Sequence, residues 1–542
     1  MNIKLARQMR VLIVDDQVLA KGYLKYSLEE LGFQDIEYVD KANLAISAMR
    51  RQKYDLIICA YDLKQEQEGY FFYDQIRSQH ILPVSTAFVF ISADTTADIV
   101  HAIVELQPDE FLAKPFTVRE LDKRLSRVLH RKRALAPVYE HMERHQPDLA
   151  LNALDAFLTE PANAELFPLA LKTKGELLLS NRYVSQAKEF YEAIINVQNF
   201  TWAQLGLVKC YIQLNEDEEA EKLILQLALK PDSMLAAYDL LSALQIKHQE
   251  FDDALECVIT ASELSPRNLH RHRKAFDLSR LTHDYEAQFE TAKKIVKYAK
   301  NSIHDKPENY LNVARAGVDF AMTADETQTN KLIKQTNDYL RQMKSSFPKA
   351  DVDEQMKVID ARILYLKDET DNARELLSQL SDETWETESA EALLDKAKAF
   401  HEVGLRDHSL KILDLLEKRC STETAPGDLF AHYVRQQKSE KTEIMLSPKA
   451  LNNSAVYEYN HGDMSKSLKT FRQAFRVMPK NPAIALNLLQ ATAIRWRDER
   501  QDDNTIQPTI HRCMQTIESS RLTDEQERRY QRVKSVLKDL SV

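Results

Sequence analysis

Four alanines recur at a nearly fixed interval: Ala187, Ala220, Ala254 and Ala287 stand 33–34 residues apart. A period of that size marks one helical hairpin copied along the chain. A single hairpin cannot bury its apolar face alone, so each copy leans on the next and the array grows in one direction. Composition fits that plan. After residue 135 Leu, Ala, Glu, Lys and Gln dominate, and all of them suit helices. The chain has nine glycines in 542 residues, too few for a loop-rich or β-rich body. A chain this long exceeds one core, so several domains or an array are expected.

The copies carry further marks. The best one has Tyr238, Leu241, Ser242, Ala254, Ala261 and Pro266. Gly175, Ala187 and Tyr191 repeat part of it, and Ala220 sits at the matching place in between. A late copy runs through Leu451, Ala455, Gly462-Asp463, Phe471, Ala474 and Pro479. Weaker ones surround Asp371 to Leu380 and Gly404 to Leu416. These offsets resemble the tetratricopeptide repeat (TPR) family over roughly 150–500. The resemblance implies a curved superhelix of about seven to nine helix pairs. Its small residues let paired helices touch, and its proline ends the second helix. Residues 300–350 read as helical without the alanine and glycine marks, and 420–447, with Pro426-Gly427, as a loop or irregular helix. From 501 to 542 a polar link and capping helices are expected.

The first 115 residues follow another rule. Short apolar runs end in polar residues: Val11–Val14 before Asp15-Asp16, Phe88–Ile91 before Ser92, and Glu110–Ala113 before Lys114-Pro115. A further run, Leu56–Cys59, enters Ala60. This order and spacing resemble the response-regulator receiver family over about residues 9–130. The resemblance implies a flavodoxin-like, doubly wound α/β domain with a five-stranded parallel sheet, ahead of the all-α TPR superhelix. The expected division is a receiver at 1–133, a linker at 134–149 punctuated by Pro137 and Pro147, repeats at 150–500, and a cap at 501–542.

In that family the residue ending the third strand accepts a phosphoryl group, and here it is Ala60. A methyl group cannot, so the resemblance implies a receiver that kept its shape and lost its chemistry. Phosphoryl transfer to a carboxylate needs Mg²⁺ on oxygen ligands. By resemblance Asp16 would bind that metal with Asp15 as its outer partner. Ser92 would take a phosphoryl oxygen, and Lys114 would pair with the phosphate as a point charge. Phe111 would be the aromatic switch, and Asp62 would lend a backbone carbonyl. Without the acceptor carboxylate no cofactor is expected beyond weakly held Mg²⁺. A rival alignment makes Asp62 the acceptor, and its distances along the chain to Ser92 and Lys114 are acceptable. Against it, the run from Asp55 approaches residue 60 at family spacing, and Gly69 follows Ala60 by the expected nine positions. Moving the acceptor by two also pushes it off the strand end into the loop.

Other chemistries lack their signatures. Net charge is −10, and no basic domain appears, so nucleic acid is not an expected partner. The basic stretch Arg127–Arg133 fits a helix end that places cations near its C-terminus. A DNA-binding output through that stretch is the third-ranked reading. Cys59, Cys210, Cys257, Cys420 and Cys513 are scattered with no CxxC pair, as in reduced cytosolic proteins. No apolar run of 18 residues and no signal peptide is seen, so a cytoplasmic protein without membrane contact is expected. His141 and His145, one helical turn apart, have no carboxylate at metal-site spacing. Trp202, Trp385 and Trp496 read as helix-packing residues. No phosphate loop, HExxH or GxSxG follows residue 135, so no enzyme is expected. The expected function is a phosphorylation-independent regulator that grips another signalling protein. By resemblance to TPR-containing response regulators, the partner would be a histidine kinase or a cyclic-di-GMP enzyme such as a phosphodiesterase.

Overall fold

The computed structural model describes residues 3–63, 69–94, 96–300, 302, 304–380, 385–423, 428–499, 506–520 and 522–539. Pro426-Gly427 and the polar run 500–504 lie outside them. Five strands form one parallel sheet: β1 Arg10–Val14, β2 Asp35–Val39, β3 Leu56–Ala60, β4 Ala87–Ser92 and β5 Glu110–Ala113. Their order is β2-β1-β3-β4-β5. Helices α1 Val18–Glu30, α2 Ala42–Arg51, α3 Gly69–Ser78, α4 Ala97–Leu106 and α5 Val118–Ala134 connect and follow them.

Alternation along each strand feeds two cores. Val11, Ile13, Leu56, Ile58, Val89 and Ile91 meet α1 and α5 through Leu24, Leu28, Leu121 and Leu125. Leu12, Val14, Ile57, Cys59, Phe88 and Phe90 point the other way, toward Ala45, Ile46, Phe72, Ile76 and Ile103 on α2, α3 and α4. The sheet is covered on both faces, which explains why its central strands read as unbroken apolar runs. This is the flavodoxin-like arrangement.

Helices make up the rest. They are α6 Ala136–Glu143, α7 Pro147–Thr159, α8 Phe167–Ser180, α9 Val184–Val197, α10 Thr201–Leu214, α11 Asp217–Ala228, α12 Met234–Lys247 and α13 Phe251–Leu264. Then come α14 Leu269–Leu281, α15 Tyr285–Ala299, α16 Pro307–Ala321, α17 Glu326–Ser346, α18 Asp353–Leu366, α19 Thr370–Ser378 and α20 Ala390–Glu402. The last are α21 Arg406–Glu423, α22 Leu429–Glu443, α23 Pro448–Asn460, α24 Met464–Val477, α25 Pro482–Glu499, α26 Ile506–Glu518 and α27 Asp524–Asp539. Residues 134–149 carry α6 and the start of α7, with Pro137 and Pro147 in their first turns, where a missing N–H costs nothing. Among the described residues no helix is long and apolar enough to cross a membrane.

The chain forms two compact units. One holds Met1–His248, Glu256–Leu269 and Tyr298–Asp305, and the other Gln249–Leu255, His270–Lys297 and Lys306–Val542. In the first unit Tyr191 of α9 is clasped between Gly175 of α8 and Gly206 of α10. A Cβ at Gly175 would stand 2.6 Å from the ring, and one at Gly206 would meet it as well. Ala187 and Ala220 are fully buried at the fourth position of their helices, as is Ala254 in α13. Ala287 breaks the register. It is the third residue of α15 and half-buried, while Gln288 takes the buried place and reaches Asp319 Oδ2 at 3.4 Å. The polar partner is what lets a glutamine occupy a position that elsewhere holds a methyl group. Residues 300–350 do carry a small-residue mark: α16 meets α17 at Gly317, where a Cβ would collide with Thr336. The stretch 420–447, expected as a loop or irregular helix, holds the end of α21 and, over Leu429–Glu443, the regular helix α22. Its side chains Ala431, Tyr433, Val434, Gln437 and Glu440 are buried, which gives the polar run a reason to coil.

An ionic network runs through the second unit. Arg362 on α18 is 2% exposed and donates to Asp319 at 2.8 Å, Asp395 at 2.7 Å and Glu402 at 2.6 Å. Lys398 holds the other Asp319 oxygen at 2.7 Å. Burial would raise the Asp319 carboxyl, yet Lys398 and Arg362 hold it well below the usual range. Removing one member of such a set strands the others. Arg362→Ala therefore lowers the stability of the second unit by about 3–5 kcal/mol, read as a drop in its urea midpoint. Beside it, burial and then Lys441 lower His401 to about 4 from 6.5. Neutral His401 supports the fold fully above pH 6.5, and that support falls away as pH drops through about 4. At most about 3 kcal/mol is at stake. His401→Gln should flatten the acid limb of stability against pH, and an unchanged limb would refute the assignment.

Candidate functional site at the carboxyl edge of the receiver sheet

Strand register assembles the edge. Val14 pairs with Cys59, Ala60 with Ile91, and Ser92 with Ala113. The next residues of β1 and β5, Asp15 and Lys114, therefore stand beside Ala60 and Ser92, where open parallel sheets bind ligands. Asp15 is 1% exposed. Its Oδ1 accepts the Gln17 N–H at 2.8 Å, and its Oδ2 faces Lys114 Nζ at 3.2 Å. The Lys114–Pro115 peptide is cis. Ala60 is buried and offers a methyl group. Gly69 packs on its carbonyl so tightly that a Cβ there would overlap the Ala60 oxygen.

Asp62 lies just beyond the strand, half-buried, and its Oδ2 accepts the Ser92 hydroxyl at 3.3 Å. The Asp62 side chain thus turns into the cleft. Asp16 is half-buried next to Asp15. Phe111 is half-buried and packs on the core formed with α2, α3 and α4. Burial, with Asp15 nearby, pushes the Cys59 thiol well up, so it supplies no thiolate to the edge. Among the described residues no three His, Cys, Asp or Glu side chains gather closely enough to hold a metal. Both Asp15 oxygens have protein partners, Gln17 N–H on Oδ1 and Lys114 on Oδ2.

The side of the domain formed by α3 and α4 is covered within the first unit. Leu269 and Ala299 join the same apolar core as Tyr70, Phe71 and Tyr73. Glu105 on α4 accepts the Ser265 hydroxyl at 2.6 Å and also bonds the Asn268 amide. The Phe71 and His304 rings meet edge-on at 5.7 Å. The Arg267 guanidinium lies 5.7 Å from the ring centre of Tyr61, the residue directly after Ala60. The Glu105 contacts alone span 160 positions or more, and none of these contacts had a signal in the sequence. Part of the basic stretch at the end of α5 pairs within the domain. Arg124 and Arg127 pair with Glu110, and Lys132 pairs with Asp109 at 2.9 Å.

The remaining marked residues pack helices. Gly175, Ser242, Ala261 and Ala474 are buried, and Tyr238, Leu241, Pro266 and Pro479 half-buried. Trp202, Trp385 and Trp496 each lean on an apolar core. His141 sits in the last turn of α6, while His145 lies past its end with φ 56°, so the two do not share a helix face.

Residues 11–126 match the family described as the response regulator receiver domain. The chain is 27% identical over 126 residues to a probable chemotaxis protein CheY of Rhizobium etli, covering 23% of this chain and 96% of that protein. It is 29% identical over 183 residues to the transcriptional activator protein IrlR of Burkholderia pseudomallei, covering 33% and 77%. The signal receiver domain of a LuxO repressor protein from Vibrio parahaemolyticus superposes at 25% identity with a TM-score of 0.21, covering 23% and 92%. The N-terminal domain is a receiver of the two-component response-regulator type. A mostly helical region follows it.

Glu105→Ala removes the acceptor of two hydrogen bonds that hold residues 265–268. Amide exchange should rise several-fold in 264–269 and leave α8 to α11 unchanged. Equal protection in both would mean that the apolar contacts alone hold the receiver there.

Proposed function

We propose that this chain is a regulator of two-component signalling that acts by contact and not through an aspartyl phosphate. The observation that carries the reading is Ala60 at the end of β3, level with Asp15, Ser92 and Lys114. With no carboxylate there, the lysine turns to Asp15. The helical body is read as a TPR-type array that grips a partner protein. Its support is the buried alanine at the fourth position of α9, α11 and α13, the glycine clasp on Tyr191, and the Gly462 turn before α24 with φ 83°. A receiver can offer its own patch. Val18 and Leu19 on α1, directly after the acidic pair, are 80% and 90% exposed, and Tyr26 is 63% exposed. An apolar patch beside an acidic cleft suits a partner helix with an apolar stripe and a basic rim. The partner class is a signalling protein such as a histidine kinase or a cyclic-di-GMP phosphodiesterase, which the chain restrains by binding. No enzyme activity and no nucleic-acid contact form part of this reading.

A second reading has its own observation. The Asp62 carboxylate reaches Ser92, so it stands where a phosphoryl group would also meet that hydroxyl. In this reading Asp62 is the acceptor and the helical body is a phosphate-controlled output.

Incubation with acetyl phosphate separates the two. The first reading expects no mass gain in the full-length protein, and Ala60→Asp to gain both one phosphoryl group and calorimetrically measurable Mg²⁺ binding. A phosphoryl group on the unaltered chain that disappears in Asp62→Ala would replace the first reading by the second. Co-purification from native lysate then identifies the partner.

A further inference from the structure

The second unit holds two cavities, of about 950 Å³ and about 790 Å³. Turns between helices build them, not helix faces. The first is lined by the α16–α17, α18–α19, α24–α25 and α26–α27 turns and the start of α23. The second adds the α14–α15 turn. Thr323, Gln328, Met478 and Asn481 line both, so the two adjoin as one groove. Asn481 ties its walls together. Its Nδ2 donates to the Thr323 carbonyl at 2.8 Å, across 158 positions, and its Oδ1 accepts the Ala483 N–H at 2.9 Å. The groove therefore has its shape before anything enters it, as binding clefts usually do.

Carboxamides are the commonest polar groups in the first cavity: Gln328, Asn330, Asn452, Asn453 and Gln526 join Asn481. The Asn452 Oδ1 is buried with no hydrogen-bond partner. Among the described residues the Gln328, Asn330 and Asn453 side chains make no hydrogen bond either. A carboxamide offers an acceptor and two donors. An extended peptide presents the matching C=O and N–H at nearly every residue. Charge along the groove is one-sided. Lys449 pairs with Asp368 at 2.7 Å and Lys480 with Asp252 at 2.6 Å. Asp284, Glu286, Asp325 and Glu326 line it without an ion pair among the described residues, against one unpaired lysine, Lys367. We propose that this groove binds an extended basic segment of a partner protein. The carboxamides take its main chain, and the four carboxylates select lysine or arginine side chains. The proposal gives the protein-gripping reading of the helical body a site and a ligand class, and it rests on that reading.

The probe is a fluorescein-labelled peptide of about ten residues, an extended length of roughly 35 Å, alternating lysine and serine. It is titrated onto the full-length chain beside a glutamate–serine peptide of the same length. The expected result is saturable binding of the lysine peptide below about 1 mM and none of the glutamate peptide. Asp325→Asn with Glu326→Gln keeps a good cap on α17 and should weaken binding about fivefold. Gln328→Ala with Asn453→Ala leaves every charge in place and should weaken it by a similar factor. Glu29→Gln with Glu30→Gln removes the same charge from α1 and should change nothing. Bound peptide should slow amide exchange in 322–330 and 448–453. Absence of saturation, an equal loss in the α1 variant, or full binding by the carboxamide variant overturns the proposal. A partner that still co-purifies from native lysate with both groove variants strikes the groove alone and leaves the protein-gripping reading standing.

Discussion

The strands β1, β3, β4 and β5 bring Asp15, Ala60, Ser92 and Lys114 to one edge because their ladders end on neighbouring rungs. That register depends on the two buried faces of the sheet. A slip of one residue would turn Val11 and Ile13 toward α2 and send Leu12 and Val14 toward α1. The chemistry of the edge is therefore tied to the core, and a substitution at one rung cannot be repaired by sliding the strand. Around the methyl group at residue 60 the polar neighbours pair with one another. Lys114 settles on Asp15, and Ser92 on Asp62.

How much of this was legible follows from the same physics. The central strands announce themselves because they are covered on both sides and tolerate no polar residue. Strand β2, Asp-Ile-Glu-Tyr-Val, lies at the sheet margin with none of its residues fully buried, and left no apolar run to read. The alanines at 187, 220 and 254 mark a real packing position, because only a methyl group fits where two helices cross. Ala287 carries the right letter one place too early, since the buried position there meets Asp319 and favours Gln288. Gly317 was passed over because its neighbours do not repeat, although the α16–α17 crossing requires it as firmly as α8 requires Gly175.

What the sequence hid is the polar contact made at long range. Nothing near Glu105 points to Ser265, and nothing near Glu440 points to His283. A hydrophobic face must repeat to work, so it leaves a period. A single ion pair or amide contact needs no repeat and leaves none. Such contacts decide which surfaces remain available, and they shift the functional reading more than any motif does. The α3–α4 side of the receiver is closed within its own unit by Arg267, Ser265 and Asn268. The patch of α1 beside Asp15 and Asp16 stays open to solvent.

Closing one side and leaving the other open limits which faces of the receiver a partner can read. In a switch, the covalent charge would alter the edge and the change would travel to a face that a partner reads. Here Tyr61, one bond beyond Ala60, is fully buried against Tyr70, Phe90 and Arg267. The route from the edge therefore leads into the chain's own helices before it reaches any partner. Under the contact reading, the driving force comes from a partner at the open patch or along the helical body. Energy for a change of state is then set by the difference in partner affinity between the two states. At about 1.4 kcal/mol for each tenfold difference, a partner preferring one arrangement a hundredfold supplies about 2.7 kcal/mol. That matches the cost of a few hydrogen bonds of the Glu105 kind.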